Sequence, residues 1–222
     1  MSPTAQRSAS RGPRPSPVAT GAILDAAQEV FSRSGLEGGS LRAIARRAGC
    51  DPALIYYHFA NKEALFLALV DRRLPPLGAD LERLAADPGP GNLETRLWAV
   101  LETFRRHLGE DLGFRTLLRG QVAQGTDSVR NAVEHHLRRI ATPVSQILCQ
   151  GMASGEVRKD LDPLLTTFFI LRMHLEILDL FPSLGGRLTG MRGPRALEQA
   201  RRTWLEFVLR ALAPPSPPEV RP

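Results

Sequence analysis

The segment CDPALIYYHFANK, residues 50–62, concentrates side chains that form hydrogen bonds or carry charge. It contains both tyrosines of the chain, Tyr56 and Tyr57, followed at once by His58 and soon afterwards by Lys62, one of only two lysines. Hydroxyl groups and cationic side chains of this kind commonly contact the phosphates of nucleic acids. The cluster therefore points to a polyanionic partner, provided that the surrounding elements present it on a surface.

The charge of the chain is unevenly distributed. The net charge is +6, and the first 62 residues contain eight Lys or Arg against four Asp or Glu, so this quarter of the chain carries +4. A local basic excess attracts polyanions such as DNA. The large surplus of arginine over lysine can equally reflect genome composition, but that alternative does not explain where the excess lies.

Composition argues against several classes of protein. A hydrophobic fraction of 43% and a charged fraction of 23% are ordinary for a soluble globular protein. No apolar run is long enough for a membrane span, and the first 20 residues read as a disordered basic arm, not a signal peptide. Cys50 and Cys149 lack disulfide or metal-ligand spacing. We therefore expect a cytoplasmic protein without membrane contact, metal or cofactor.

Apolar residues recur at helical spacing along most of the chain, and no segment shows the alternation of a strand, so the predicted fold class is all-α. Residues that favour helix ends mark the boundaries of the first elements. The predicted N-terminal helices are 18–34 ending at Gly35, 41–48 between Ser40 and Gly49, 52–59 behind Asp51, and a fourth helix from Asn61.

The segment LPPLGADLERLAADPGPGN, residues 74–92, is rich in Pro and Gly and predicts a connection between two domains. The expected division is a disordered arm over 1–17, a small domain over 18–73, a larger helical domain over 74–213 and a disordered tail over 214–222. Later helices are predicted along 97–108, 128–153, 163–181 and 194–212. We expect Pro143 to kink or split the second of these. The stripe along 163–181 consists of Leu164, Phe168, Leu171, Leu175 and Leu178.

Residues 41–58 have the layout of a helix-turn-helix, with two short helices around a tight turn at Gly49. In this motif the second helix enters the major groove of DNA while the first crosses the backbone. Ile55 and Phe59 lie four residues apart and are expected to face inwards. The candidate contacts are Arg42 for a guanine edge, Ala53 and Leu54 for thymine methyl groups, and Tyr57 and Lys62 for phosphates. The alternative is that Tyr56 and His58 pack beneath the next helix.

The stretch ILDAAQEVFSRSGLEGGSLRAIARRAGCDPALIYYHFANKEALFLALV resembles the DNA-binding domain of the TetR/AcrR family of transcriptional regulators, over roughly residues 18–73. The resemblance combines the patterns AAQEVF…G, SLRAIARRAG and IYYHFANKEAL with the spacings between them. It implies a homodimer whose N-terminal domains bind a palindromic operator and whose C-terminal domain binds a small inducer. It also implies that the residues matching Ser40, Arg42, Tyr56, Tyr57, His58 and Lys62 touch DNA, mostly its phosphates.

The chain departs from the family pattern at two positions of the motif. Ala53 stands where many members have Gly, and Asp51 stands where many have Ser or Thr. Asp51 remains a good helix cap, but its charge is repelled by phosphate, so a direct DNA contact by Asp51 is disfavoured.

Beyond residue 80 the resemblance is general, and the second half is interpreted from its own residues. Its last two helices have extensive apolar faces, and the corresponding helices of the family form a four-helix dimer interface; the alternative is that these faces belong to the intrachain core. An effector cavity lined mainly by apolar groups is expected among the middle helices. The interface candidates are Leu175, Trp204, Phe207 and Val208, and the cavity candidates are Phe104, His107, Phe114, Leu118, Met152, Phe169, Met173 and His174.

These observations predict a dimeric DNA-binding regulator, in the simplest form a repressor released by a small hydrophobic effector. The arginines Arg105, Arg115, Arg119 and Arg172 leave an anionic effector open. A transcriptional activator, or a helical adaptor of the same fold that has lost DNA binding, are the alternatives. An enzyme is disfavoured because His135-His136, His174 with Glu176, and Cys149 lack metal-ligand or nucleophile spacing.

The basic arm generates a prediction. Helix one lacks the basic residue that many relatives carry at its start, and Arg7, Arg11 and Arg14 can compensate by reaching a minor groove. Removal of residues 1–16 is then expected to weaken operator binding and to flatten its salt dependence, because fewer counterions are released. Titrations of one duplex at several salt concentrations measure both quantities. An unchanged affinity and slope contradict the hypothesis.

Overall fold

The computed structural model describes residues 17–215, apart from residues 88 and 90. This part of the chain is helical throughout, which confirms the predicted all-α class. The arm with Arg7, Arg11 and Arg14 and the tail residues 216–222 lie outside the described residues. None of the described helices has the length and hydropathy needed to cross a bilayer. The helices are α1 Pro17–Gly38, α2 Leu41–Ala48, α3 Pro52–His58, α4 Lys62–Ala86, α5 Leu93–Leu108, α6 Leu112–Gln124, α7 Asp127–Ser154, α8 Pro163–Leu180, α9 Gly186–Thr189 and α10 Pro194–Leu212.

Caps define the ends of α2, α3 and α4 as the sequence predicts. The Ser40 hydroxyl accepts from the Ala43 amide at 3.1 Å, and the Asp51 carboxylate accepts from the Ala53 amide at 2.7 Å. Each cap satisfies a backbone donor that has no partner within its own helix. Gly49 ends α2 at φ 66°, a left-handed conformation that favours glycine. The turn between α2 and α3 is therefore tight and fixed from both sides.

Helix α4 corrects the predicted connection between domains. It continues through Pro75 and Pro76 to Ala86, so residues 74–86 are helical and only the short segment after them connects α4 to α5. Two prolines remove two intrahelical hydrogen bonds. The apolar face nevertheless continues without a break, because Leu74, Leu77 and Leu81 are all fully buried. Burial of that face outweighs the local loss, and the sequence pattern of Pro and Gly alone did not reveal it.

Three other elements differ from their predictions. Helix α7 runs unbroken from Asp127 to Ser154 with Pro143 buried inside it, so the proline does not split the helix. Helix α6 was not predicted as an element at all. In α8 the expected apolar stripe is divided, because Leu171 and Leu178 are buried whereas Leu164 and Phe168 are exposed. A π-helical turn over Phe181–Gly185 then joins α8 to α9.

Asp111, at the start of α6, ties three helices together. One carboxylate oxygen caps α6 by accepting from the Phe114 amide at 2.9 Å. The other accepts from the Gln28 amide group of α1 at 2.5 Å and from the Arg73 guanidinium of α4 at 3.0 Å. Gly113 lies against α1 so closely that a β-carbon there would collide with Ser32. The first turn of α6 is thus fixed against both α1 and α4.

His174 of α8 is fully buried between aromatic rings. Its ring packs edge-on against Phe104 of α5, with centroids 6.5 Å apart, and stacks on Trp204 of α10 at 5.9 Å. Burial, together with the charge of nearby Arg201, lowers the pKa of His174 to about 3, although the backbone of Leu101 favours the charged imidazole. His174 is therefore neutral in the folded protein.

The buried imidazole generates a prediction about pH. Below its ordinary pKa of 6.5 only the unfolded state binds the proton, so stability falls as pH falls from about 6.5 towards about 3. At about 1.4 kcal/mol per pH unit, the wild type should lose about 2 kcal/mol more than His174→Leu between about pH 7.5 and pH 5. Urea unfolding at both pH values measures the difference. His135→Leu, at an exposed histidine, is the control and should behave like the wild type. Equal pH dependence of His174→Leu and the wild type would exclude a buried neutral imidazole.

Candidate DNA-binding surface

The tyrosines of α3 lie on an open surface. Ile44 and Ala45 of α2 and Ile55 of α3 are buried and hold the two helices together. On the opposite side of α3, Tyr56 is 60% exposed and Tyr57 is 73% exposed. The alternative that Tyr56 packs beneath the next helix is therefore wrong. A short helix that presents two phenol groups outwards can place them against phosphates or base edges.

The arginines of α2 divide into two roles. Arg42 is exposed at the start of the helix and makes no ion pair within the described part of the chain. Arg47, at its end, donates two hydrogen bonds to Glu29 of α1, at 2.6 and 2.7 Å. This pairing lowers the pKa of Glu29 and raises that of Arg47. Arg47 thus orients α2 on α1, a role that no local sequence signal indicates, because the partners lie 18 residues apart.

Lys62 and His58 lie at the edge of this surface. The ammonium group of Lys62 donates to the carbonyl of Glu37 at 2.8 Å, so it also supports the end of α1. His58 is half-buried beside Phe59, and its Nε2 atom has no hydrogen-bond partner among the described protein groups. The alternative of packing beneath the next element holds in part for His58. Among the other candidates, Ser40 and Ala53 are exposed, and Leu54 is half-buried against the core.

The predicted effector residues do not line one cavity in the single chain. Phe104, Phe114 and His174 are buried in the core, and His107 hydrogen-bonds to Asp80 at 2.8 Å. Leu118 and Met152 are half-buried at the edge of the core. Phe169 and Met173 are 60% and 51% exposed, so the prediction that they face an internal cavity is wrong. The face of α8 that carries them points away from the helices of its own chain.

The four arginines that left an anionic effector open are all ion-paired. Arg105 pairs with Glu102, and Arg172 pairs with Glu176. Arg115 is buried and contacts Asp179 at 2.5 Å, while Arg119 contacts Glu176 at 3.1 Å and Asp179 at 2.9 Å. Arg115, Arg119 and Arg172 share the two carboxylates of Glu176 and Asp179 in a structural network between α6 and α8, whereas Arg105 and Glu102 pair within α5.

The predicted interface residues lie on both sides of the last two helices. Phe207 is 70% exposed on α10, whereas Val208 is buried within the chain. Trp204 and Leu175 are half-buried against the core. The alternative of an intrachain role is therefore correct for Val208.

The histidines and cysteines considered for catalysis form no metal-ligand arrangement within the described part of the chain. No cluster of three or more His, Cys, Asp or Glu side chains there is arranged to hold a metal ion. His136 hydrogen-bonds to Asp71 at 2.7 Å, and its ring meets that of His135 nearly edge-on. Cys50 and Cys149 are free thiols.

Comparison with known proteins decides the family. The sequence model described as "Bacterial regulatory proteins, tetR family" matches residues 23–69, which span α2 and α3. The transcriptional repressor AcnR of Corynebacterium diphtheriae is 30% identical over 165 residues, 72% of this chain and 77% of the relative. The chain belongs to the TetR family. Its relatives are transcriptional regulators and not enzymes.

Further relatives extend the likeness beyond the N-terminal helices. The fatty acid metabolism regulator protein of Bacillus subtilis is 26% identical over 141 residues, which are 63% of this chain and 71% of the relative. The structure of FadR from Bacillus subtilis in complex with stearoyl-CoA has a TM-score of 0.69 and 21% identity. The superposed residues cover 86% of this TetR-family chain and 98% of the FadR chain. The second half of the molecule therefore shares the fold of TetR-family proteins.

Arg42 and Arg47, two of the three arginines of α2, provide a matched test of the surface. Arg42→Ala is expected to weaken binding to a specific duplex by about 1–3 kcal/mol, because a free guanidinium that reaches a base edge is lost. Arg47→Ala should weaken binding much less, since its guanidinium already serves Glu29. Fluorescence anisotropy with a specific and a random duplex measures both variants. Equal losses for the two variants would show that α2 contributes only general positive charge.

Proposed function

We propose that this TetR-family protein is a homodimeric transcriptional repressor that binds an inverted-repeat operator and is released by a small, predominantly apolar effector. The observation that carries the proposal is the exposure of Tyr56, Tyr57 and Arg42 on two short, firmly capped helices. Such a protein acts on DNA and is placed in the cytoplasm. Family membership supports regulation, and the AcnR relative is itself named a repressor.

The contacts with DNA are proposed residue by residue. Tyr56, Tyr57 and Lys62 are assigned to phosphates, and Arg42 is assigned to a guanine edge. The half-buried His58 borders the phosphate contacts, and Ser40 offers the hydroxyl that caps α2. Ala53 and Leu54, near the start of α3, are assigned to thymine methyl groups. The helix N-termini of α2 and α3 add partial positive charge towards the backbone.

Dimerisation is supported by an unpartnered apolar face. Large side chains on α8 remain exposed in the single chain, together with Phe207 on α10. Monomeric proteins rarely leave so many neighbouring apolar side chains in water, so a second copy of this chain is the expected cover. Two copies can place two α3 helices in successive major grooves, about 34–36 Å apart. The exposed residues of α8 are Leu164, Leu165, Phe168, Phe169, Met173 and Leu180.

Release by an effector follows from linkage. An effector that stabilises a dimer in which the two α3 helices are wrongly spaced for the operator binds free protein more tightly than operator-bound protein. By linkage, the effector lowers the affinity for DNA by the same factor by which DNA lowers the affinity for the effector. FadR of Bacillus subtilis binds stearoyl-CoA, which shows that one related fold accommodates a long acyl chain.

Selection from a random duplex library with the purified full chain tests the proposal directly. Enrichment of one inverted repeat is the expected result. Arg42→Ala should lose the preference for a guanine in each half-site, whereas Tyr57→Ala, at a phosphate contact, should bind more weakly with the same preference. A protein with no preference for any inverted repeat over random duplex at moderate salt is not an operator-binding repressor. An unchanged preference in Arg42→Ala, or an unchanged affinity in Tyr57→Ala, would instead refute the assigned contacts.

The dimer generates a further prediction. Phe169→Arg places a charge on the exposed face of α8 and is expected to yield monomers, because an unpaired charge in an apolar interface is costly. DNA affinity should then fall by at least about 100-fold, since the second half-site no longer binds cooperatively. Analytical ultracentrifugation and anisotropy measure the two effects. Val122→Arg, on the exposed side of α6, is the control and should change neither. A dimeric Phe169→Arg would exclude this face.

A further inference from the structure

Helix α2 contains three arginines and no acidic residue, and the arginines do not share one role. The guanidinium group of Arg47 donates two hydrogen bonds to Glu29, at 2.6 and 2.7 Å. Arg46, its neighbour in the last turn, is exposed, and its side chain makes no ion pair or hydrogen bond with another described residue. Packing of the single chain therefore does not explain why a cation stands at position 46.

Arg46 lies on the same exposed flank of α2 as Arg42. In a helix of 3.6 residues per turn, side chains four residues apart project about 40° apart around the axis and about 6 Å apart along it. Arg47 projects about 100° from Arg46, on the side where it meets Glu29. The side of α2 that packs against the core consists of Leu41, Ile44 and Ala45. The two arginines that have no ion pair with described residues therefore share one flank, and the paired arginine lies on another.

The position of Arg46 on α2 favours the DNA backbone over a base edge. In a helix-turn-helix, the first helix crosses the backbone while the second enters the major groove. The assignment of Arg42 to a guanine edge places its flank of α2 against the DNA. Arg46 follows one turn later on that flank, about 6 Å farther along the crossing helix, where the backbone is the nearest part of the DNA. The groups within its reach are then phosphate oxygens, which accept hydrogen bonds from arginine side chains.

A purely structural role for Arg46 makes a different prediction. A cation in the last turn of a helix interacts favourably with the negative end of the helix dipole, and both Arg46 and Arg47 stand in the last turn of α2. That interaction is present whether or not DNA is bound. Its loss would therefore lower the free energy of unfolding and leave the salt dependence of DNA binding unchanged. A phosphate contact, in contrast, releases a counterion from the DNA and steepens the salt dependence.

We propose that Arg46 is a further DNA-contacting residue, which donates to a backbone phosphate in each half-site beside the groove that Arg42 enters. Helix α2 then fixes the protein on the operator at two points, a base edge and a phosphate. Arg42 supplies sequence preference, whereas Arg46 supplies affinity and register without sequence preference. This assignment rests on the proposed function, since it adds a contact to the same DNA-binding surface.

The test uses the full chain, the inverted repeat selected from the random library, and single-base variants of its half-sites. Anisotropy titrations at several salt concentrations give the affinity for each duplex and the slope of its logarithm against the logarithm of salt concentration. Arg46→Ala should weaken binding to all these duplexes by the same factor. It should also make the slope of the dimer shallower by about 1.8, that is, by about 0.9 for each of the two lost phosphate contacts.

Two further variants serve as controls. Lys159→Ala removes an exposed cation from the segment between α7 and α8, and it should change neither the affinity nor the slope. Arg46→Lys keeps a cation that can bind a phosphate as a point charge, and it should keep a slope close to that of the wild type. Arg42→Ala should change the ranking of the single-base variants, which Arg46→Ala should leave as it is.

Four outcomes would each overturn the assignment. These are an unchanged slope in Arg46→Ala, whatever its free energy of unfolding in urea; an equal change of slope in Lys159→Ala; a changed ranking of the single-base variants in Arg46→Ala; and a slope in Arg46→Lys as shallow as that in Arg46→Ala. In all these cases, a preference of the wild type for the inverted repeat over random duplex leaves the proposed function intact. Absence of that preference is a failure of the proposed function instead.

Discussion

Burial of one continuous apolar face of α4 is the constraint on which the rest of the molecule depends. That face runs from Leu65 to Ala85 and packs against α1, α5 and α7. Each fully buried leucine contributes about 1.5–3 kcal/mol, which exceeds the cost of a missing helical hydrogen bond at Pro75 or Pro76. The two short helices α2 and α3, of which α3 carries Tyr56 and Tyr57, have too little apolar surface to fold alone. They are held through α1 and α4 by the same core that supports the C-terminal helices.

Side-chain contacts also connect α8, through α6, to helices α1 and α4. Asp179 on α8, little more than one turn beyond His174, holds Arg115 of α6. At the start of α6, Asp111 holds Gln28 of α1 and Arg73 of α4. A displacement of α8 would therefore act on α6 and, through Asp111, on α1 and α4. Contiguous contacts of this kind are one physical route by which distant sites can be coupled.

Local signals in the sequence define the DNA-binding half well and the remainder poorly. Ser40, Gly49 and Asp51 act through hydrogen bonds to neighbours two to four residues away, so the boundaries of α2 and α3 can be predicted from residue types. The ion pair of Arg47 with Glu29 and the contacts of Asp111 with Gln28 and Arg73 depend on packing between helices, which leaves no local pattern. Residues 74–86 mislead because Pro and Gly mark turns only where no apolar face is buried. Phe169 and Met173 mislead because an apolar residue looks the same in the sequence whether it is buried in its own core or exposed on the single chain.

The distribution of aromatic residues has a consequence for observation. The only two tyrosines lie on α3, and the only two tryptophans, Trp98 and Trp204, lie on α5 and α10 beside Arg201 and His174. Intrinsic emission from the chain therefore comes from two separate places. Tyrosine emission reports on α3, and tryptophan emission reports on the packing of α5 and α10 around Arg201 and His174. Energy transfer from the tyrosines of α3 to the tryptophans of α5 and α10 therefore depends on the distance between these helices, and it can be measured without an added label.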